Sequence, residues 1–168
     1  MAKEEKISSG ELNQRIAVIK RFKELLKAQR DRFRIYLDSL EKQQTAIQTG
    51  TADDLLHYVE LEEKIVADIF SIQKVIDPLE KMYHAAIPQN PAGAKGAAES
   101  DTLEVLSLKG ALEGLKAEAV IRSERNKELL SQRMTEIRSE IKSLRSNPYA
   151  RRRSGVDTVT PTRIDIKG

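Results

Sequence analysis

The chain has 168 residues, of which 39% are hydrophobic, 33% charged and 4% aromatic, and its formal net charge is +3. This mixture holds too little apolar bulk for one large globular core, and it favours an elongated helical bundle with narrow apolar seams. The absence of cysteine excludes disulfides and thiol chemistry. The charged N-terminus does not resemble a signal peptide, and no apolar run approaches the roughly 20 residues that cross a bilayer. We therefore expect a cytoplasmic protein without stable membrane insertion.

The first predicted helix covers about residues 9–49. Ser8 or Ser9 can cap it, and Glu11 lies in its first turn, where the helix dipole favours a carboxylate. One side follows the alternating steps of four and three that mark a heptad seam. The seam comprises Leu12, Ile16, Ile19, Lys23, Leu26, Arg30, Phe33, Leu37, Leu40, Gln44 and Ile47. A helix of this length leaves its seam in water unless another helix covers it.

The second predicted helix covers about residues 53–86, after Gly50 ends the first helix. Thr51 or Asp53 can cap it, and so short a connection favours an antiparallel hairpin. Its apolar side comprises Leu55, Val59, Glu62, Val66, Ile69, Ile72, Ile76, Leu79 and Tyr83. Pro78 removes a backbone donor inside this pattern, so we predict a kink or an early end near residues 76–78.

Residues 87–100 contain two prolines and two glycines, which predicts a flexible linker. Asp101 and Glu104 then resemble a capping-box variant that opens a third helix, ending near residue 145 before Asn147 and Pro148. Its seam comprises Leu108, Leu112, Leu115, Ala119, Arg122, Asn126, Leu130, Met134, Ile137, Ile141 and Leu144.

Together these elements predict an all-α protein. We expect an elongated antiparallel helical hairpin plus a long third helix, packed as a coiled-coil-like three-helix bundle. Residues 1–146 are expected to form a single helical domain, and residues 147–168 a flexible, disordered basic tail.

No residue pattern points to catalysis. His57 and His84 lie 27 residues apart on one predicted helix. His57 with Glu60 makes a single i, i+3 pair, whereas metal–carboxylate bundles need several such ligands from different helices. The sequence has no glycine-rich phosphate loop, nucleophile elbow or Cys/His cluster. We expect no enzymatic activity, no cofactor and no metal site.

The charge pattern leaves two kinds of interface open. Eight basic residues lie between Arg15 and Arg34, against two acidic ones. They are spread around the helix, and the chain has few aromatic stacking partners and no recognised DNA-reading motif. A solvated face or a docking face for an acidic partner is therefore favoured over nucleic acid. In the tail, Tyr149 with Arg151, Arg152 and Arg153 forms either a short docking peptide or a solubilising segment.

Asn126 within an apolar seam has two interpretations. A buried asparagine can fix the register of a bundle at a cost in stability. Alternatively, the seam belongs to a helix face left partly open for the amphipathic helix of a partner. The second interpretation predicts a client-binding surface formed by Asn126, Leu129, Leu130, Met134, Ile137, Ile141 and Leu144.

Three segments carry a resemblance to a known family. They are GTADDLLHYVELEEKI (Gly50–Ile65), RNKELLSQRMTEIRSEIKSL (Arg125–Leu144), and the tail NPYARRRSG followed by RIDIKG. With the long helical hairpin, they resemble the FlgN family of flagellar export chaperones. The resemblance implies a cytoplasmic type III export chaperone that binds terminal helices of the hook-associated proteins FlgK and FlgL and prevents their premature assembly. It also implies that the helix near Asn126–Leu144 holds the client and that the tail around Tyr149 docks at the export gate.

Two other classes of function stay open. A structural coiled-coil component of a secretion apparatus would form a constitutive complex without preference for an isolated client helix. A binder of nucleic acid or a membrane surface would use the basic segments, and its affinity would fall steeply with salt. The sequence leaves the oligomeric state open.

Overall fold

A computed structural model describes residues 8–86 and 97–146 of the chain. These residues form three α-helices: α1 (Ser9–Thr49), α2 (Ala52–Ala86) and α3 (Ala97–Ser146). The described ranges contain no strand, which confirms the all-α prediction. The chain divides into two compact units, Met1–Leu129 and Leu130–Gly168. The boundary between them falls inside α3, whereas the sequence analysis places a division after residue 146.

α1 is bounded at both ends by local chemistry. The backbone N–H of Glu11 donates to the Ser8 hydroxyl at 3.2 Å, and the backbone N–H of Ser8 donates to the Glu11 carboxylate at 3.1 Å. Ser8 is therefore the N-cap, within a reciprocal capping box. At the other end, Gly50 has an ordinary extended backbone, with φ −86° and ψ 177°. Its glycine is required for space instead, because a Cβ would lie 2.8 Å from the Ala46 carbonyl oxygen.

α2 also begins with a capping box. The backbone N–H of Asp54 donates to the Thr51 hydroxyl at 3.2 Å, and the backbone N–H of Thr51 donates to the Asp54 carboxylate at 3.0 Å. The hydrogen bonds from Thr51 hold the pKa of Asp54 below its usual value. Of the two predicted caps, Thr51 is the one used.

Pro78 does not end α2. The helix continues through it to Ala86, so the predicted early end near residues 76–78 is wrong. Ile76 and Tyr83, on either side of Pro78, are both buried in the core. Apolar burial on both sides therefore offsets the hydrogen bond that the proline removes.

α3 begins at Ala97 rather than near residue 101, so four residues of the predicted linker are helical. Asp101 and Glu104 accordingly lie inside the helix and do not cap it. Their carboxylates instead contact Lys23 of α1, which lies 2.8 Å from Asp101. Alanine favours helix, so the two alanines at the start of α3 extend it before residue 101. The turn that was predicted to cap α3 therefore lies inside the helix and forms ion pairs with α1.

The core of the first unit draws on all three helices. Phe22 is fully buried, and its ring centroid lies 4.8 Å from that of Tyr83. The buried cluster comprises Ile19, Phe22, Leu25, Leu26 and Phe33 of α1, Ile76 and Tyr83 of α2, and Val105, Leu108, Leu112 and Ala119 of α3. The described part of this unit is thus a three-helix bundle, as predicted.

The buried face of α1 differs from the predicted seam. Leu12 and Ile16 are 50% and 54% exposed, while Phe22, Leu25 and Gln29, outside the seam, are buried. A helix that packs against two neighbours must bury two adjacent stripes. A single heptad seam therefore describes only part of the contact surface.

Candidate partner-binding surface

Asn126, the first residue of the predicted client-binding set, lies inside the bundle of the first unit and is 3% exposed. Its side-chain nitrogen donates to the Leu40 backbone carbonyl at 2.8 Å and to the Gln43 side-chain oxygen at 3.0 Å. Both acceptors belong to α1. The Asn126 side-chain nitrogen is therefore bonded within the chain, in the arrangement of the register-fixing interpretation. It does not lie on an open surface.

Arg122, one turn before Asn126, makes a related contact. Its guanidinium donates to the Glu118 carboxylate at 2.7 Å and to the Leu37 backbone carbonyl at 3.5 Å. Two polar residues of α3, four positions apart, thus bond to carbonyl oxygens along one side of α1.

Asn126 also joins a polar network that reaches α2. The Gln43 amide donates to the Glu62 carboxylate at 2.7 Å, and the Tyr36 hydroxyl donates to the other Glu62 oxygen at 3.0 Å. Burial of the phenol, with the nearby charge of Glu62 in second place, raises the pKa of Tyr36 to about 12. Glu62 thereby links two residues of α1, and Gln43 links Glu62 to α3.

A second polar contact lies two heptads earlier on α1. The Gln29 amide donates to the Ile69 carbonyl at 3.1 Å and to the Gln73 side-chain oxygen at 3.2 Å. Gln29, Tyr36 and Gln43 are seven residues apart, so they share one side of α1. The predicted seam lies one position away, at Arg30, Leu37 and Gln44, so this polar row was not predicted from the sequence. The seven-residue repeat of polar residues was the available signal.

The remaining members of the predicted set differ in exposure. Leu129, at the end of the first unit, is half-buried, and Leu130, at the start of the second, is also half-buried. Every residue from Ser131 to Ser146 is exposed. Met134, Ile137, Ile141 and Leu144 are 46%, 42%, 46% and 66% exposed, respectively.

In the second unit these apolar residues form a continuous stripe, here called the α3 stripe: Leu130, Met134, Ile137, Ile141 and Leu144. The steps between them alternate between four and three, so all five lie on one side of the helix. From Leu130 to Leu144 the α3 stripe extends about 21 Å at 1.5 Å per residue. Apolar side chains in such an arrangement are typical of a surface that binds another helix.

The charged side chains beside the α3 stripe are mostly basic. The flanking positions hold Ser131 and Glu140 together with the arginines Arg133, Arg138 and Arg145. Arg133 makes one ion pair, with Glu136 at 3.4 Å, and both side chains are about half exposed. An exposed pair of this kind is weak and exchanges readily with other partners.

The basic run of α1 is largely paired within the first unit. Lys23 and Lys27 contact Glu104, and these contacts hold the pKa of Glu104 down at about 2. Arg32 lies 3.2 Å from Asp68 of α2. Arg21, Arg30 and Arg34 pair with acids of α1 itself. Cations engaged in this way present less free positive charge to a phosphate backbone.

The histidines occupy separate environments on α2. The ring of His57 lies edge-on to Tyr58, at 5.4 Å between centroids, and His84 lies 3.8 Å from the Glu80 carboxylate. Within residues 8–86 and 97–146, no three His, Cys, Asp or Glu residues cluster in a way that could hold a metal ion. In the same ranges, none of the helices combines the length and apolar character required to span a membrane. The predicted gate-docking residues Tyr149, Arg151, Arg152 and Arg153 lie outside the described residues.

A shallow depression, not predicted from the sequence, lies in the first unit between the start of α1 and the end of α2. Its volume is about 360 Å³, and its lining combines Val18, Met82 and Ala85 with the polar residues Glu11, Gln14 and Arg15. Met82 is 52% exposed. The predicted seam treats Leu12 and Ile16 as covered, but both are about half exposed. This end of the hairpin therefore keeps apolar side chains in contact with water.

An "Uncharacterized protein" of Treponema pallidum (strain Nichols) is 30% identical to this chain over 141 residues, which cover 84% of each of the two chains. The chain belongs to the same family as this Treponema protein. No family model matches the chain, and no solved structure matches it significantly. The match therefore covers most of both chains rather than one segment.

Proposed function

We propose that this protein is a type III flagellar export chaperone of the FlgN kind. It binds terminal helices of hook-associated proteins similar to FlgK and FlgL in the cytoplasm, keeps them from assembling before export, and delivers them to the export gate. The observation that carries the proposal is the exposed α3 stripe. The resemblance of residues 125–144 to the FlgN family supports the same segment.

The energetics of the α3 stripe suit reversible capture. An amphipathic client helix laid along it removes four exposed apolar side chains from water, each worth about 1 kcal/mol or more. Part of that gain is lost to ordering the two partners. A modest net gain of this kind suits a complex that releases its client without a nucleotide.

The proposal excludes Asn126 from the client contact. Its side chain is buried and its nitrogen is bonded to Leu40 and Gln43, so the proposed client surface is the α3 stripe, from Leu130 to Leu144. In this arrangement Asn126 aligns the bundle, and the α3 stripe binds the client.

A structural coiled-coil component of a secretion apparatus is the second candidate, because an exposed heptad stripe also suits a permanent partner. The two candidate functions differ in whether the bound helix is exchanged. A chaperone releases its client helix and binds another, whereas a structural component stays in one complex. Nucleic-acid binding has less support because the basic residues of α1 are paired with acids.

The decisive experiment is co-purification with hook-associated proteins that carry or lack their terminal helices. We expect binding only when the helices are present. Leu130→Asp and Ile137→Asp should abolish it with helicity retained, while Ser139→Asp, an exposed polar position of the same segment, should not. Failure of any hook-associated protein to co-purify would reject the proposal, and binding that survives both apolar substitutions would place the client elsewhere.

A further inference from the structure

We infer that the α3 stripe selects an amphipathic helix whose own apolar side is bordered by acidic side chains. This inference rests on the proposed function, because it specifies the chemistry of the helix that the α3 stripe binds. It is carried by the charges beside the stripe.

In a pair of helices, the residues next to the apolar seam face each other across it and determine which partners are accepted. Beside the α3 stripe these positions carry Arg133, Arg138 and Arg145 against a single acid, Glu140. All four are exposed. The border has a net charge of +2, so a partner with glutamate or aspartate at the facing positions is attracted, and one with lysine is repelled.

The same charges favour a second copy of this chain less than an acid-bordered helix as the occupant. In a parallel pair of α3 segments, Arg133 would face Arg138 of the second copy, because residues just before one seam position face residues five later on the partner. In an antiparallel pair, Arg138 would face its own counterpart. The parallel pair also places Glu140 opposite Arg145, which offsets that repulsion, whereas the antiparallel pair brings like charges together. A partner with acids at all the facing positions is attracted at each arginine, so it is favoured over a second copy in either orientation.

The length of the α3 stripe also limits the partner. Five apolar side chains over about 21 Å match about four turns of a partner helix. A partner of this chemistry has three or more apolar side chains at heptad spacing within about 15 residues, with acids immediately beside them. Acidic borders on such a helix also disfavour its pairing with copies of itself.

The test uses three synthetic helices of about 21 residues, or three heptads, with one shared apolar seam. They differ only at the bordering positions, which are all Glu, all Gln or all Lys. Binding of each labelled peptide to the full chain is measured by fluorescence anisotropy at low salt. We expect the Glu peptide to bind about tenfold more tightly than the Lys peptide, with the Gln peptide between them. The difference should shrink at high salt, where exposed charges are screened.

Two variants with the same change in charge provide the control. Arg138→Glu reverses a bordering charge and should reduce or reverse the preference for the Glu peptide. Lys142→Glu makes the same reversal away from the border and should leave the order intact. Ile137→Asp should weaken all three peptides alike.

The inference would be overturned if the three peptides bound with equal affinity. It would also be overturned if Arg138→Glu and Lys142→Glu changed the order of the peptide affinities to the same extent. Self-association through the α3 stripe that excludes the peptides would also overturn it. If the charge order holds but no hook-associated protein co-purifies, the proposed function fails and the inference stands. If hook-associated proteins bind and the charge order is absent, only the inference fails.

Discussion

The side-chain nitrogen of Asn126 lies 2.8 Å from the backbone carbonyl oxygen of Leu40, a residue 86 positions earlier in the chain. The same nitrogen lies 3.0 Å from the side-chain oxygen of Gln43. Leu40 and Gln43 lie within one turn of α1, so the contact pairs one turn of α3 with one turn of α1. The contact therefore fixes the register of the two helices.

Replacing Asn126 tests the register contact. Asn126→Asp exchanges a donor for an acceptor that faces two oxygens, so it should destabilise the bundle by more than Asn126→Ala. The alanine variant should lose about 1–3 kcal/mol, because buried acceptors lose their partner. Urea unfolding followed by circular dichroism measures both, with the exposed Glu128→Ala as the control. Equal stability of all three variants would contradict a structural role for Asn126.

Replacing glycine by alanine should have opposite effects on stability at two positions, Gly50 and Gly110. Gly50→Ala places a Cβ 2.8 Å from the Ala46 carbonyl oxygen, and backbone must move to admit it. Gly110→Ala, inside α3, meets no atom within 4 Å. We expect Gly50→Ala to lower the free energy of unfolding by about 1 kcal/mol or more and Gly110→Ala to raise it by up to about 1 kcal/mol. Thermal unfolding checks the signs, and two shifts of the same sign would contradict the spatial argument.

Truncation of leucine to alanine should destabilise the protein to different extents at two positions of α3, Leu112 and Leu144. Leu112 is 4% exposed and belongs to the core, whereas Leu144 is 66% exposed. Leu112→Ala should cost about 2–4 kcal/mol because it opens a cavity. Leu144→Ala should stay within about 0.5 kcal/mol of the parent. Urea unfolding of the two variants measures the difference, and a comparable loss at Leu144 would show that the α3 stripe is covered in the free protein.

The contact of Lys23 with Glu104 predicts a sensitivity to acid. Hydrogen bonds from Lys23 and Lys27 lower the pKa of Glu104 to about 2, from an ordinary value of 4.5. A depressed carboxyl pKa contributes stability that is complete above pH 4.5 and is lost as the pH falls towards about 2. Lys23→Gln should therefore flatten the fall in melting temperature over this range. Arg21→Gln, which breaks an exposed pair within α1, should leave the slope unchanged; identical slopes for the two variants would contradict the assignment.

Tyr36 predicts a response at high pH. Burial and the charge of Glu62 raise its pKa to about 12, from an ordinary value of 10. Because the protonated phenol is favoured in the folded state, its contribution to stability is complete below pH 10 and is lost as the pH rises through about 12. Glu62→Gln removes the charge and should lower this pKa. Ultraviolet titration, with Tyr36→Phe to identify the signal, measures the shift, and an unmoved signal would contradict the pairing.

Periodicity and terminal residues were sufficient to predict much of the fold. Ser8 and Glu11 carry a capping signal in four residues, and Thr51 to Asp54 carry another, so both helix starts follow from local hydrogen bonds. Gly50 ends α1 for a local reason as well, because a Cβ at this position would collide with the backbone of Ala46, four residues earlier. Where a distant contact competes, the local signal failed: Asp101 and Glu104 look like a cap but pair with Lys23.

For the candidate site too, the sequence predicts what depends on spacing along the chain, and the tertiary structure decides what depends on packing. Heptad spacing placed Asn126 and Ile137 on one side of a helix, because the repeat depends only on positions along the chain. Spacing carries no information on whether another helix lies against that side. Only the tertiary structure decided that Asn126 is covered by α1 while Ile137 is exposed. It also decided that Gln43, rather than Gln44, is buried, because the orientation of a helix about its axis is set by packing against all its neighbours at once.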